Sequence, residues 1–295
     1  MSTSTSYSEK TESILKQLEQ GIKDVFVSGR YQEYLTTMAK FHHYSFNNVM
    51  LILMQRPDAS HVAGFHTWQR EFERSVMKGE TGIRILAPVS IKREIWSEKK
   101  DAQGRSLPDP ITGNPIKELK EIQIQSFRIV CVFDIEQTTG KPLPKLAEEL
   151  KTHLDNAKDL EKAIHSVATC PIEFDLMPDS VNGYYDTSVH KIVIRKGMAT
   201  AQTIKTMVHE LAHSRLHDES HEADNKLKDR ATMEVEAESV AFVVCQHLGI
   251  DTAEYSFGYL ASWSENQEVK KLSSSLSLIQ KESDALIKLI TEQLI

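Results

Sequence analysis

Apolar residues recur at helical spacing near the start of the chain. Ile14, Leu15, Leu18, Ile22 and Val25 share one face of a helix predicted over residues 13–27. A shorter helix is expected from Tyr31 to about Phe41. A third begins after Ser45 as N-cap, runs through Val49-Met50-Leu51-Ile52-Leu53-Met54 and stops before Pro57. The period then changes. Residues 83–95 and 121–133 read as two β-rich runs, with Ile122, Ile124, Phe127, Ile129 and Cys131 as the inward positions. The charged stretch 97–119, with Gly104, Pro108, Pro110, Gly113 and Pro115, reads as a long mobile hairpin loop. Gly140-Lys141-Pro142-Leu143-Pro144 is a short, stiff linker. Beyond it the pattern predicts a helix over 145–165, strands at Ile172–Phe174 and Lys191–Ile194, and a turn at Asn182-Gly183 leading through Tyr184-Tyr185-Asp186 into a strand. Helices over 200–217 and 232–248 follow, the second closed by Gly249. Helices and small sheets in mixed order make this an α+β chain. A chain of 295 residues exceeds the usual limit of one core, so two domains are expected.

Composition changes this picture little: 40% of residues are hydrophobic and 26% charged, as in ordinary globular proteins. The net charge of -7 argues against wholesale nucleic-acid binding, yet residues 40–96 carry eight basic residues against five acidic ones. Those charges interleave with Tyr44, Phe46, Phe65, His66 and Trp68, an arrangement that could line a groove for a single strand. The same aromatics could instead fill a core, the reading that composition alone favours. The three cysteines, Cys131, Cys170 and Cys245, are odd in number and widely spaced, so no disulfide framework is expected and a reducing cytoplasm is the expected location. The first residues lack the basic-then-apolar order of a secretory signal, and no apolar run is long enough for a membrane span.

The chemistry concentrates at His209-Glu210-Leu211-Ala212-His213. Residues four apart share a helix face, so His209 and His213 can turn two imidazoles toward one ion with Glu210 beside them. Two neutral nitrogen ligands, a water and a carboxylate to take its proton are what a hydrolytic zinc site needs. A third protein ligand is required. His221, Glu222 and Asp224 fall in a polar stretch, whereas Glu234 and Glu238 share a face of the next, largely apolar helix, where unpaired carboxylates are costly. Glu234 is therefore expected on the metal and Glu238 on the outer nitrogen of a ligand histidine. Glu236 is expected to face solvent, and His217 to support the site or lie on the surface. Tyr184 or Tyr185 could donate to a developing oxyanion, and the strand before the metal helix could hold extended substrate by edge pairing.

Two resemblances follow. Tyr44-Ser45-Phe46-Asn47-Asn48, Gln55-Arg56-Pro57-Asp58-Ala59, Val62-Ala63-Gly64-Phe65, Thr67-Trp68, Lys78-Gly79-Glu80, Gly82 through Pro88, Val132-Phe133-Asp134-Ile135 and Gln137-Thr138 resemble the N-terminal domain of the ArdC antirestriction family. That resemblance implies a single-stranded-DNA-binding domain over residues 8–144 and makes Trp68, Lys78 and Arg84 its first candidates for DNA contact. The second half, residues 145–295, resembles the zincin-like peptidase group that includes the ArdC C-terminal domain and the ImmA/IrrE proteins. There, His209-Glu210-x-x-His213 followed by Glu234-x-x-Ala237-Glu238 implies Glu234 as third ligand; the flank Ala212–His217 is closer to the ImmA/IrrE style. The expected protein is a helical and β-hairpin DNA-binding domain followed by a mainly helical, zinc-dependent metallopeptidase domain with a small sheet. Such a protein, carried on a mobile element, would cut an unidentified protein substrate with zinc-activated water. The alternative is a non-proteolytic antirestriction protein that shields incoming single-stranded DNA and uses its metal structurally. Nothing in the sequence sets the oligomeric state.

Overall fold

The computed structural model describes residues 2–101, 103–143, 157–218, 228–250, 257, 260–265 and 267–294. The start of the helix expected at 145 and the alternative ligands His221, Glu222 and Asp224 lie outside them.

By packing, residues 1–83 and 131–295 form one compact unit, and 84–130 a second. The first unit opens with α1 (Ser2–Val27), α2 (Tyr31–Lys40) and α3 (Phe46–Gln55). α1 buries Ile14, Leu18, Ile22, Val25 and Phe26, whereas Leu15, expected inward, is exposed. Helical spacing admits Leu15 to the edge of the stripe, but only the width of the covering surface decides whether an edge position is buried. Gly21 is where α1 meets α3, since a Cβ there would stand 2.8 Å from the Met54 sulfur. α3 begins as expected, with the Ser45 hydroxyl accepting from the Asn48 amide, and Asn48 to Leu53 are all buried.

A short strand β1 (Val62–Gly64) leads into α4 (Phe65–Arg70), then β2 (Arg74–Val76), the long β3 (Ile83–Glu98) and β4 (Lys117–Asp134), and β5 (Thr138–Gly140). The end of β4 pairs antiparallel with β1, Val62 opposite Asp134 and Gly64 opposite Val132, and β2 pairs with β5. Asp134 is fully buried and its carboxylate accepts from the backbone N–H groups of Ser60, His61 and Glu136 at 2.8, 3.0 and 3.0 Å. Gln137 completes this cap by accepting from the Asp134 amide while donating to Glu80 and the Thr81 carbonyl. The short blocks of sequence around Glu80 and Asp134 are thus a hydrogen-bonded clasp.

The second unit is a two-stranded ribbon formed by the outer parts of β3 and β4. Contacts of Ser90 with Gln123 and of Lys92 with Glu121 set an antiparallel register. The strands extend farther than hydropathy indicated, and the segment between them carries local pairings, Lys100 with Ser106 and Pro108 with Pro115. Ile122, Ile124 and Ile129 are half-buried, but Phe127 and Cys131 are exposed. A two-stranded ribbon has no second layer to bury every apolar side chain.

Back in the first unit, α5 (Ala157–Val167) precedes a three-stranded sheet of β6 (Ile172–Asp175), β7 (Gly183–Asp186) and β8 (Lys191–Arg195) in the order β6-β8-β7. β8 is central, parallel to β6 and antiparallel to β7, so β7 is an edge. α6 (Thr200–Leu216) packs on β7 and β8, and α7 (Arg230–His247) packs on α6. α8 (Leu260–Ser264) and α9 (Val269–Glu292) close the unit, with α9 against α7. Asp229 caps α7 by accepting from the Thr232 amide, and Gly249 takes the left-handed φ of 73° expected just past a helix end.

The N-terminal helices share this core. Tyr31 of α2 reaches Ser239 of α7 at 2.8 Å, both fully buried, and the Phe26 ring meets Trp263 at a tilt with ring centroids 5.6 Å apart. Among the described residues no helix is long and apolar enough to cross a membrane.

Candidate metal centre

α6 turns His209 and His213 onto one face because they are one helical turn apart, and its buried neighbours Met207, Val208, Leu211 and Ala212 fix that face in place. Their Nε2 atoms stand 3.2 Å apart. Glu234, in the first turns of α7, brings one carboxylate oxygen to 3.6 Å from each. These three ligand atoms form the one such cluster among the described residues. The spacings fit a tetrahedral ion: donors about 2.0–2.1 Å from a zinc centre lie roughly 3.3–3.4 Å from one another. The donor set, two nitrogens and a carboxylate oxygen, is also that of hydrolytic zinc sites.

Electrostatics point the same way. Contact with the two imidazoles holds the Glu234 carboxyl well below the usual carboxylate range. Burial disfavours a charged His209, but its contact with Glu234 and the charges of Glu210 and Glu238 outweigh burial and raise its pKa. Three carboxyl groups around two imidazoles make a place for a cation. Glu210 is only 7% exposed. Burial pushes its pKa up, against the opposing charges of His209 and His213 and a hydrogen bond from the Tyr185 backbone.

Two cavities meet at this centre. One of about 390 Å³ is bordered by Tyr184, His209, Glu210, His213 and Glu234; another of about 270 Å³ by Asn182, Gln202, Thr206, Glu210 and Glu238. Gly183 lies on both. A Cβ there would fall 2.7 Å from the Thr206 side chain and 2.9 Å from the Val193 carbonyl, so glycine lets β7 lie close to α6.

Several sequence expectations are altered by this geometry. Glu238 makes no hydrogen bond to His209 or His213 among the described residues; it borders the smaller cavity and acts on His209 through its charge. Glu236, expected in solvent, is 1% exposed. It accepts from Lys228 and Ser275 at 2.8 and 2.7 Å and contacts His217 at 3.1 Å. Position 236 falls on the part of α7 enclosed between α6 and α9, where His217 and Ser275 meet it. Tyr185 donates its hydroxyl to Asp218, with His190 3.1 Å away, which commits the proton an oxyanion would need. Tyr184 is the exposed tyrosine of β7, at 45%. The contacts of Asp218 and Glu236 are not legible in local sequence because their partners, Tyr185 and His217, lie 33 and 19 residues away.

Trp68 is also placed differently from expectation. It is 1% exposed, donates its indole N–H to the Phe133 carbonyl at 2.8 Å and packs on Phe72, so it belongs to the core and has no free face for a base. Lys78 and Arg84 are exposed.

Fold and site thus define a class: an α+β protein in which a helix-borne His-Glu-x-x-His pattern meets a carboxylate from the following helix. Sequence comparison makes it specific. Residues 4–133 match the model of the N-terminal domain of anti-restriction factor ArdC, and residues 129–272 match the "Putative metallopeptidase family (DUF6782)". The N-terminal part of the chain is thus similar to the ArdC N-terminal domain, and the part that follows is similar to a putative metallopeptidase family. An uncharacterized protein of Bacillus anthracis is 25% identical over 330 aligned residues that cover 99% of this chain and 54% of that protein. The chain therefore spans about half the length of that relative. Among solved structures, Mn(II)-bound ArdC from plasmid R388 superposes with a TM-score of 0.50 at 18% identity, covering 94% of this chain and 97% of that one, which shows a shared fold. The metal-free form of that protein matches at 0.47 and 19% identity over 84% of each chain.

Proposed function

We propose that this protein is a single-stranded-DNA-binding zinc peptidase in which His209, His213 and Glu234 hold the metal and Glu210 is the general base. The observation that carries the reading is the tetrahedral spacing of those three donor atoms beside a buried carboxylate. The Mn(II) in the R388 protein's structure supports a divalent ion in a chain of this fold. Bound there, the ion supplies Lewis acidity, which acidifies water and polarises a peptide carbonyl.

The chain's own residues carry the remaining work. Glu210 accepts a proton from the attacking water and returns it to the departing amine; burial raises its proton affinity toward that task. β7 pairs on one side with β8, and its other edge lines up an extended substrate strand by backbone hydrogen bonds. Tyr184, exposed on that strand, donates to the substrate carbonyl oxygen as charge develops, while Tyr185 steadies Glu210 through its backbone N–H. Exposed Lys78 and Arg84 contact the phosphates of a single strand, a role supported by the ArdC-type N-terminal match.

Glu210→Gln tests the reading. Zinc content should be unchanged, and peptide hydrolysis should fall about 100- to 10,000-fold. Normal cleavage by this variant would refute the mechanism. Restriction protection that survives in full, with no cleavage by either form, would favour a protein that only shields DNA.

A further inference from the structure

His217 lies one turn beyond His213 on α6, and the two imidazoles meet through their Nδ1 atoms at 3.0 Å. The other ring nitrogen of His217 is 3.1 Å from Glu236 Oε2. Glu236 is held in turn by the Lys228 ammonium on the same oxygen at 2.8 Å and by the Ser275 hydroxyl of α9 on its other oxygen at 2.7 Å. The His217 and Glu236 side chains are 4% and 1% exposed. A buried carboxylate that receives an ammonium, a hydroxyl and an imidazole is an acceptor toward all three.

This fixes where the protons lie. An imidazole that offers Nε2 to a metal carries its proton on Nδ1. His213 is therefore a donor toward His217, whose Nδ1 accepts. The single remaining proton of neutral His217 then sits on Nε2, facing Glu236. The reverse order would put a proton on the His213 nitrogen that faces the donor set and turn a His217 lone pair against a carboxylate. We propose that His217 and Glu236 are positioning residues that, as a one-directional hydrogen-bond relay, set the tautomer and ring orientation of His213 and tighten its hold on the ion. The relay rests on the metal-centre reading given above and extends it from α6 through α7 to α9. It differs from a carboxylate held directly on a ligand histidine, because a second histidine is interposed.

The test uses the full chain and zinc alone as probe, with affinity read by competition against a chelator. Glu236→Gln and His217→Phe should each weaken zinc binding about 10- to 100-fold. Ser275→Ala, which removes one support of Glu236, should weaken it less. Variants that lose thermal stability without zinc yet bind zinc as the unaltered chain does would make the network structural only and overturn the relay. Imidazole ¹⁵N spectra of the unaltered, zinc-loaded protein need no variant to fold: protons on His213 Nδ1 and His217 Nε2 are expected, and a proton on His217 Nδ1 overturns the proposal. An unaltered chain that binds no zinc would defeat the metal reading itself, a result distinct from equal binding by all forms.

Discussion

Replacing Trp68 with phenylalanine separates a core residue from a DNA contact. The indole is 1% exposed and donates to the Phe133 carbonyl at 2.8 Å. Phenylalanine removes that donor and leaves the carbonyl short of a partner, at about 1–3 kcal/mol. It also removes part of the ring packed 5.1 Å, centroid to centroid, from Phe72, and the resulting gap adds roughly 1 kcal/mol. The sum, about 2–4 kcal/mol, is a large share of the roughly 5–15 kcal/mol typical of folded proteins. Urea denaturation followed by circular dichroism should show an earlier midpoint with an unchanged slope. Mobility shifts with a single-stranded oligonucleotide, run well below the transition, should show unchanged affinity. A midpoint equal to that of the unaltered protein together with DNA binding weaker by about 1–3 kcal/mol, the value of one stacked base, would refute the placement of Trp68 in the core.

Three other outcomes follow from the geometry. The Ser239 hydroxyl donates to the Val235 carbonyl at 2.6 Å and so accepts from Tyr31; a Tyr31→Phe, Ser239→Ala double-mutant cycle should give a coupling of about 0.5–1.5 kcal/mol, and strict additivity would mean α2 and α7 are not joined there. His42 sits 2.8 Å from Asp284, with a pKa lowered chiefly by burial, so the unfolded chain binds the proton more readily. Stability from this group is present above the unfolded pKa of about 6.5 and is lost as pH falls toward the lower folded value. His42→Gln should therefore shrink the drop in melting temperature between about pH 7.5 and pH 5.5; an unchanged drop would exclude His42 as a source. Gly183→Ala should push β7 away from α6, lowering hydrolysis while zinc content holds, because the added carbon meets the Val193 carbonyl and the Thr206 side chain. Full activity in that variant would show that the close approach is dispensable.

Much of the helical framework was legible beforehand. The apolar spacing of Ile14, Leu18, Ile22 and Val25 marks one buried stripe, and all four are buried. Ser45 and Gly249 mark helix ends by local chemistry, which operates in the same way wherever the helix sits. The ribbon strands were visible, but Phe127, expected inward, is an odd number of residues from Ile122 and Ile124; it falls on the opposite strand face and is exposed, whereas Ser126 continues their half-buried row. The chain's grouping into packed units was also hidden, since Tyr31 and Ser239 meet across 208 residues of sequence.

The metal site divides along the same line. His209 and His213 are brought together by the pitch of one helix, so the sequence by itself determined that pair, with Glu210 adjacent. Whether Glu234, Glu236 or Glu238 faces them depends on how α7 is rotated against α6 and on which side α9 covers. Sequence already favoured Glu234 as the ligand; the places of Glu236 and Glu238 come from side-chain packing between segments far apart in the chain, and only the tertiary structure decided those. It turned Glu234 to the two imidazoles, Glu238 to a neighbouring cavity and Glu236 inward to His217.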